Sequence, residues 1–162
     1  MSIVKDSFEY RGKTIYIEWI PGESYKRFSP ITQAYGFCFK DNKLLIIQSI
    51  DLKHWQVPGG TVEPGETPEE TLVREVDEEA NIKISDIKYL GAQKTYAKGE
   101  DPVYQLRFAA RIEKLLPRKL DPAAKIIARR RFINPDDFAK IADWGISGEA
   151  IAKEAKRRLN IQ

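Results

Sequence analysis

Cysteine and histidine are almost absent from this chain, and their scarcity excludes several classes of site. The 162 residues include one cysteine, Cys38, and one histidine, His54. A single cysteine cannot close an internal disulfide, and these two residues together cannot supply the ligand set of a structural zinc site. We therefore expect any metal ion to be held by oxygen atoms.

Long apolar runs and a large net charge are also missing. No stretch approaches the roughly 20 apolar residues that a membrane-spanning helix needs, and residues 1–6 lack the apolar stretch of a secretory signal. We therefore expect a cytoplasmic protein with no membrane partner. The net charge of +3 suits an anionic small molecule but is too small for the basic stripe that binds duplex DNA, so nucleic acid is not the expected partner.

The residues that are present have the balance of an ordinary globular protein. Apolar residues make up 42% of the chain and charged residues 31%, which excludes a disordered or fibrous protein. A chain of 162 residues can bury one substantial core but is too short for two ordinary domains. We therefore predict a single domain over residues 1–162.

Alternating β-rich segments and two helical segments predict a layered α/β domain with a mixed sheet. Residues 1–28 are expected to form an N-terminal hairpin extension with its turn at Arg11-Gly12. Further strands are predicted at 32–40, 44–50, 55–57, 87–96, 103–113 and 129–133, and a tight turn at Asp41-Asn42 is expected to join the first two. The strand 103–113 alternates in polarity and is expected to be buried on one face only, with Arg107 on the exposed face. Later helices are predicted to start at Asn134 and Ser147.

The clearest helix follows a segment, 55–66, that holds too many prolines and glycines for regular structure beyond its short strand. Thr67 is a predicted N-cap, and Glu70 is expected to complete a capping box with it. The helix is predicted to run to Ala80 and to end at Asn81, a residue type that tolerates the left-handed conformation of helix ends.

Three glutamates, Glu75, Glu78 and Glu79, fall at i, i+3 and i+4 on this helix, so that a period of about 3.6 residues places them on one face. Their repulsion costs roughly 0.2 to 0.5 kcal/mol per pair unless a cation lies among them. Clustered carboxylates favour a hard cation, Mg²⁺ or alternatively Mn²⁺. The competing interpretation is a solvated acidic face.

The segment 60–82 resembles the Nudix box, G-x5-E-x7-R-E-U-x-E-E-x-G-U, in which U is a bulky aliphatic residue. The matching positions are Gly60, Glu66, Arg74, Glu75, Val76, Glu78, Glu79 and Ile82. The one departure is Asn81, which stands where the family has glycine. Because Asn tolerates the same left-handed geometry, we expect the box to fold normally.

This resemblance implies an α/β/α sandwich and a role for each matched residue. It implies that Glu75, Glu78 and Glu79 are catalytic residues that bind the metal ion, and that the backbone carbonyl of Gly59 is a further ligand. It also implies that Glu75 can orient the attacking water. Glu66 and Arg74 are implied to form a structural ion pair that holds the carboxylates in place.

The resemblance further implies metal-dependent cleavage of the pyrophosphate bond in a nucleoside diphosphate linked to another group. The expected substrates are a nucleotide sugar, an ADP-ribose-like compound, a dinucleotide or a nucleoside triphosphate. One alternative is a non-catalytic sensor of nucleotides, although a sensor has no need of all three carboxylates. Another is an RNA 5′-end pyrophosphohydrolase, which would require the basic segments 129–131 and 156–158 to line one groove.

The sequence leaves the general base and the substrate contacts open. Acidic candidates for the base or a further metal ligand are Glu100, Asp101, Glu113 and Asp121. Candidate substrate contacts are Trp55, Tyr96 and Arg107, and Phe37 could also stack on a base; aromatic residues in strands are, however, more often part of the core.

The N-terminal hairpin also has two interpretations. It resembles the extra strands that some ADP-ribose-type members of the family use for dimerisation and base recognition, which would make the protein a homodimer. The alternative is that the hairpin simply extends the edge of the sheet.

Overall fold

The computed structural model describes residues 2–48 and 53–162. Its strands are β1 (Val4–Tyr10), β2 (Lys13–Pro21), β3 (Ile31–Lys40), β4 (Lys43–Gln48), β5 (Trp55–Gln56), β6 (Gly59–Thr61), β7 (Ile82–Ala97), β8 (Val103–Leu115) and β9 (Arg130–Ile133). Its helices are α1 (Pro68–Glu75), α2 (Phe138–Ala142) and α3 (Gly145–Arg158). A π-helical turn (Val76–Ala80) continues α1, and a 3₁₀ turn (Pro135–Asp137) precedes α2.

One mixed sheet joins the strands of the described residues. Its order is β1-β2-β7-β8-β3-β4-β5, with β6 paired to β3 and β9 paired to β4. The β3–β8 pair is parallel, whereas the other pairs are antiparallel. The predicted mixed sheet is therefore confirmed.

Helices cover both faces of this sheet, which confirms the predicted α/β/α sandwich. On one face, Leu72 of α1 packs with Val76 and Ala80 of the π turn against buried residues of β3, β4 and β8. On the other face, α2 and α3 cover a second apolar cluster that includes Phe37 of β3 and Ile151 of α3. Because α1 packs against the sheet and β6 pairs with β3, the sheet fixes the position of α1 relative to the segment before it.

The two predicted hairpin turns are confirmed. Arg11 and Gly12 between β1 and β2 have φ angles of 48° and 77°, and Asp41 between β3 and β4 has a φ of 54°. Positive φ at these positions matches the tight turns whose twist suits a hairpin. The strand predicted at 44–50 begins at Lys43 and reaches Gln48, and its last two positions lie outside the described residues.

Three strand predictions need correction. β7 begins at Ile82 and not at residue 87, because irregular pairing with β8 carries the strand across the polar segment around Asp86. β8 is not buried on one face only: residues 106–110 are buried on both faces, since helices pack above and below this central strand. Residues 59–61 form the short strand β6 within the glycine-rich segment.

The N-cap of α1 is confirmed, with one difference in the capping box. The Thr67 hydroxyl oxygen accepts a hydrogen bond from the Glu70 backbone N–H at 3.1 Å. The Glu70 carboxylate, however, accepts from the Thr67 hydroxyl at 3.1 Å, rather than from the Thr67 backbone N–H that a capping box predicts. Across the described residues, no helix is long and apolar enough to cross a membrane.

Candidate active site

The two glycines that open the candidate site lie in close contact with neighbouring groups. A Cβ on Gly59 would lie 2.4 Å from the backbone oxygen of Ala34, because β6 pairs with β3 at this point. A Cβ on Gly60 would lie 2.4 Å from Oε1 of Glu75. The Glu75 carboxylate thus occupies the space that a side chain at position 60 would fill, so a larger residue there would displace that carboxylate.

The helix that carries the carboxylates is not α-helical to its end, which corrects the prediction of one α-helix from Thr67 to Ala80. After Glu75 it widens into the π turn, and the N–H of Asn81 reaches the carbonyls of both Asp77 and Val76. Such single π turns occur mostly inside α-helices and frequently at functional sites. Because a π turn is wider than an α-helical turn, it changes the angle about the helix axis between Glu75 and the pair Glu78 and Glu79. Asn81 ends the turn with φ 54° and ψ 54°, as predicted.

Arg74 lies at the centre of the carboxylates and ties the loop to α1. Its Nε and Nη2 donate to the two carboxylate oxygens of Glu66 at 2.8 and 2.9 Å, and Nη2 also donates to the carbonyl of Thr61 at 3.1 Å. Its Nη1 lies 2.9 Å from Oε1 of Glu75 and 3.5 Å from Oε2 of Glu78. These bonds lower the pKa of Glu66 to about 2, with the Arg74 hydrogen bonds as the largest cause.

Glu79 has the most shielded carboxylate of the three. Its Oε1 accepts a hydrogen bond from the Gly59 N–H at 2.9 Å. Burial raises the pKa of Glu79 to about 8, and the negative charges of Glu75 and Asp121 add to the effect, whereas the Gly59 N–H opposes it. Burial also raises the pKa of Glu75, which Arg74 partly offsets. A cation at this position would relieve the cost of ionising both groups.

The glycine loop and the carboxylates border one open cleft of about 740 Å³. Its lining residues are Gly59, Gly60, Thr61, Glu63, Arg74, Glu75, Glu78, Glu79, Asp121, Pro122, Ala123 and Ala124. The fold thus brings together Glu75, Glu78 and Glu79 and adds a wall from the segment 121–124. Within residues 2–48 and 53–162, no group of three or more His, Cys, Asp or Glu side chains is arranged so that it could hold a metal ion. Arg74 contacts two of the cleft carboxylates, Glu75 and Glu78.

Of the four acidic candidates for the base, Asp121 is the one that lies at this cleft. Its negative charge contributes to the raised pKa values of both Glu75 and Glu79. Glu100 instead pairs with Lys13 of the hairpin, with 2.7 Å between Nζ and Oε1. Asp101 and Glu113 are exposed and are not among the residues that line the cleft. No local sequence signal distinguishes Asp121, because its position depends on how the chain returns from β8 to β9.

None of the three candidate substrate contacts is among the lining residues of the described cleft. Trp55 is half-buried in β5, with the Arg131 guanidinium 5.9 Å from its ring centre. Tyr96 stacks on Tyr16 of the hairpin at 5.5 Å. Their role in binding substrate stays a prediction.

Arg107 was predicted to face outward from β8, but its side chain is buried. Only 2% of it is exposed, and its guanidinium lies 4.8 Å from the ring of Tyr35 and 5.3 Å from the ring of Trp144. Burial lowers the pKa of Arg107 to about 10. Phe37, the fourth candidate, is fully buried and packs edge-on against Phe138 at 4.9 Å, so it belongs to the core.

Residues 31–153 match the family model described as the NUDIX domain, a span that contains the cleft and all the box residues. The chain belongs to the NUDIX family. Within this family it is similar to YtkD of Bacillus subtilis (strain 168), an 8-oxo-dGTP diphosphatase by provisional assignment. The identity is 40% over 82 residues, which are 51% of this chain and 51% of that protein.

Other relatives in the NUDIX family are named RNA pyrophosphohydrolase. An RNA pyrophosphohydrolase of Aeromonas hydrophila is 31% identical over 71 residues, which are 44% of this chain and 41% of that protein. The chain thus spans about half, or less, of the length of these relatives. Among solved structures, the fold is similar to that of the Bacillus subtilis pyrophosphohydrolase BsRppH, with a TM-score of 0.72, 24% identity and full coverage of both chains.

Proposed function

We propose that this NUDIX protein hydrolyses the pyrophosphate bond of a nucleoside diphosphate linked to another group, with a divalent metal ion as cofactor. The observation that carries the proposal is the convergence of Glu75, Glu78, Glu79 and Asp121 on one open cleft beside Gly59. These carboxylates, together with that of Glu63 on the same cleft, repel one another, which is costly unless a cation or a proton compensates their charge.

The donor set fits a hard divalent ion. All the acidic groups at the cleft offer carboxylate oxygens, and neither the cysteine nor the histidine of the chain lines it. Oxygen ligands of this kind are those that Mg²⁺ and Mn²⁺ take in proteins. In the proposal Glu75, Glu78 and Glu79 hold the ion, the carbonyl of Gly59 adds a ligand, and Mg²⁺ is the expected metal.

The protein groups have distinct tasks in the proposed reaction. A bound divalent ion supplies charge neutralisation for the diphosphate and makes water a better nucleophile. In the proposal Glu75, which lies beside Gly60, orients the attacking water, and Asp121 is the candidate to accept its proton. Arg74 holds Glu66, the carbonyl of Thr61 and Glu75 in one network, so it fixes the loop relative to the carboxylates.

The substrate class is proposed from the cleft and from the relatives. The cleft is open, charged residues make up half of its lining, and it has room for a diphosphate together with its metal ion. Relatives and structural neighbours carry names that include 8-oxo-dGTP diphosphatase, Ap4A hydrolase and ADP compounds hydrolase. A small nucleotide with an internal phosphoanhydride is the chemistry that these substrates share.

A turnover screen tests the proposal. The purified protein is incubated with Mg²⁺ and a panel of nucleotide sugars, dinucleotides, ADP-ribose and nucleoside triphosphates, and the phosphorylated products are identified. We expect a nucleoside monophosphate and a second phosphorylated product from at least one substrate. Glu79→Gln should reduce kcat by about 100-fold or more. The matched control is Glu149→Gln, which removes one exposed carboxylate from α3 and should leave turnover unchanged.

Two outcomes would contradict the proposal, one for hydrolysis and one for the reaction centre. If the unmodified protein binds a nucleotide of the panel but releases no product, the non-catalytic sensor is favoured. If Glu79→Gln and Glu149→Gln lower turnover equally, the carboxylate cluster is not the reaction centre. Far-UV circular dichroism of both variants separates a lost reaction from a lost fold.

RNA 5′ ends are a second candidate substrate, favoured by several relatives named RNA pyrophosphohydrolase. Much of the basic surface that this function would need is engaged elsewhere. Arg130 donates to the carbonyls of Ala80 and Leu116, and Arg158 donates to the carbonyl of Tyr89. We therefore expect turnover of a 5′-triphosphorylated RNA to be slower than that of a small nucleotide. Faster turnover with a steep dependence on salt would reverse this ranking.

A further inference from the structure

Asn81 stands where the family motif has glycine, and its side chain makes bonds that glycine cannot make. It is fully buried. Its amide nitrogen donates to the carbonyl of Asp77 at 2.8 Å, and its amide oxygen accepts from Arg118 Nη1 and from the Lys119 backbone N–H, both at 3.0 Å. One buried amide thus joins the end of the box to a segment nearly 40 residues further along the chain.

The backbone at the same point makes a second set of bonds to this segment. The carbonyl of Asn81 accepts from the Leu116 N–H at 2.8 Å and from Arg130 Nη1 at 3.1 Å. Arg118 and Arg130 also both donate to the carbonyl of Ala80, at 2.8 and 2.9 Å. Burial lowers the pKa of both arginines, and the charge of Arg130 lowers that of Arg118 further. The carbonyls of Ala80 and Asn81, at the negative end of the helix, accept the hydrogen bonds of these arginines and offset part of the cost of burying their charge.

The segment held in this way carries the acidic wall of the cleft. Asp121 follows Lys119 by two residues, and its Oδ1 accepts the backbone N–H groups of Ala123 and Ala124 at 2.8 and 3.0 Å. These residues line the cleft together with Glu75 and Glu79. The distance between the two walls therefore depends on how firmly residues 118 and 119 are fixed to the end of the box.

We propose that Asn81 is a positioning residue that fixes the wall carrying Asp121 against the carboxylates of the box. The inference rests on the proposed function, because it assigns Asp121 a place in the same reaction. Asn81→Gly tests it, since glycine adopts the same left-handed backbone and removes the three side-chain hydrogen bonds.

Hydrogen exchange of the metal-free protein is the first measurement. In Asn81→Gly we expect the amides of Lys119, Ala123 and Ala124 to exchange about tenfold faster or more, while those of β7 and β8 keep their protection. Asp143→Gly is the matched control, because Asp143 also ends a helix at positive φ, 58°, but is exposed. It should leave these amides unchanged. Asn81→Asp keeps an acceptor oxygen for Arg118 and Lys119 and should restore most of the protection.

Steady-state kinetics is the second measurement. A displaced wall should lower the kcat of Asn81→Gly by about 10- to 100-fold with a smaller change in KM, and Asn81→Asp should recover part of the loss. Unchanged exchange at 119–124 in Asn81→Gly would overturn the proposal, and so would faster exchange with unaltered kcat. If exchange rises but the unmodified protein hydrolyses nothing, the proposed function fails while the link from Asn81 to the wall stands.

If Asn81→Gly does not fold, Arg118→Gln gives the same test from the other side of the contact. Arg118 is partly exposed, and its replacement removes one donor to the Asn81 amide and one to the carbonyl of Ala80. The same amides should lose protection, and kcat should fall in parallel. Full protection together with full kcat in Arg118→Gln would overturn the proposal.

Discussion

Glu79 differs from the other carboxylates of the box because it is both shielded and bonded to the glycine loop. The Gly59 N–H donates to it, while Glu75 and Asp121 surround it with negative charge. The folded chain therefore holds a proton on Glu79 far more readily than an unfolded chain does. A divalent ion in the cleft would take over the compensating role of that proton.

This environment predicts how stability depends on pH. The pKa of Glu79 rises from its usual 4.5 to about 8 on folding, so the folded state binds the proton more tightly. The resulting stabilisation is complete below about pH 4.5 and is lost as the pH rises to about 8. We expect the free energy of unfolding of the metal-free protein, measured with urea and a chelator, to fall across this range.

Two comparisons check this pH dependence. In Glu79→Gln the decrease should be much smaller, because the amide does not titrate, and in the unmodified protein Mg²⁺ should restore stability near the upper end of the range. The pKa of Glu66, lowered to about 2, acts only at lower pH, where its contribution is lost as the pH falls. An identical decrease in the unmodified protein and in Glu79→Gln would contradict the assignment.

At the scale of elements, the fit of β6 against α1 is what places the carboxylates. Gly60 faces Glu75 so closely that a methyl group at Gly60 would lie 2.4 Å from Oε1. We expect Gly60→Ala to push Glu75 out of place and to lower kcat by about 10- to 100-fold. Because the cleft is open, the free energy of unfolding should fall by no more than about 1 to 3 kcal/mol.

Gly22→Ala is the matched control for this substitution. An added Cβ at Gly22 meets no atom within 4 Å, and its φ is not positive in the range that favours glycine. It should leave both kcat and stability unchanged. If Gly60→Ala also turned over substrate at the normal rate, the position of Glu75 would not matter to the reaction.

Local sequence rules predicted some elements of the site well and missed others. The N-cap at Thr67 and the left-handed residue Asn81 were predictable because both depend on a few neighbouring residues. The π turn was not, since residues 76–80 suit an ordinary α-helix equally well and the wider turn depends on packing. Asp121 could not be selected for the same reason: a loop fixed by distant contacts places it at the cleft.

At the scale of the whole molecule, the N-terminal hairpin extends the edge of the sheet, and its second strand, β2, also contributes to the core. Trp19 of β2 is fully buried in the cluster beneath α3, whereas Phe8 of β1 is 48% exposed. We expect Trp19→Ala to lower the free energy of unfolding by about 3 to 5 kcal/mol. Phe8→Ala, the control on the same hairpin, should change it by less than about 1 kcal/mol. Equal effects in chemical denaturation would show that the hairpin folds apart from the core.

The sheet shows how far sequence patterns extend across the molecule. Alternation and turn residues predicted most of the strands, because each depends on local chemistry. They did not predict that β8 is covered on both faces, since its central position follows from parallel pairing with β3, a contact between distant segments. The alternation of polarity along β8 predicted that Arg107 faces solvent, but this side chain is buried. The homodimer suggested for the hairpin stays a prediction that light scattering can test.

The most direct test of the metal site is a titration of the metal-free protein with Mn²⁺, followed by the EPR signal of the free ion. A saturable site is predicted in the unmodified protein, and Glu79→Gln should weaken it by about tenfold or more, whereas Glu149→Gln should not. Absence of saturable binding in the unmodified protein, or equal affinity in all three proteins, would contradict a metal site at Glu75, Glu78 and Glu79.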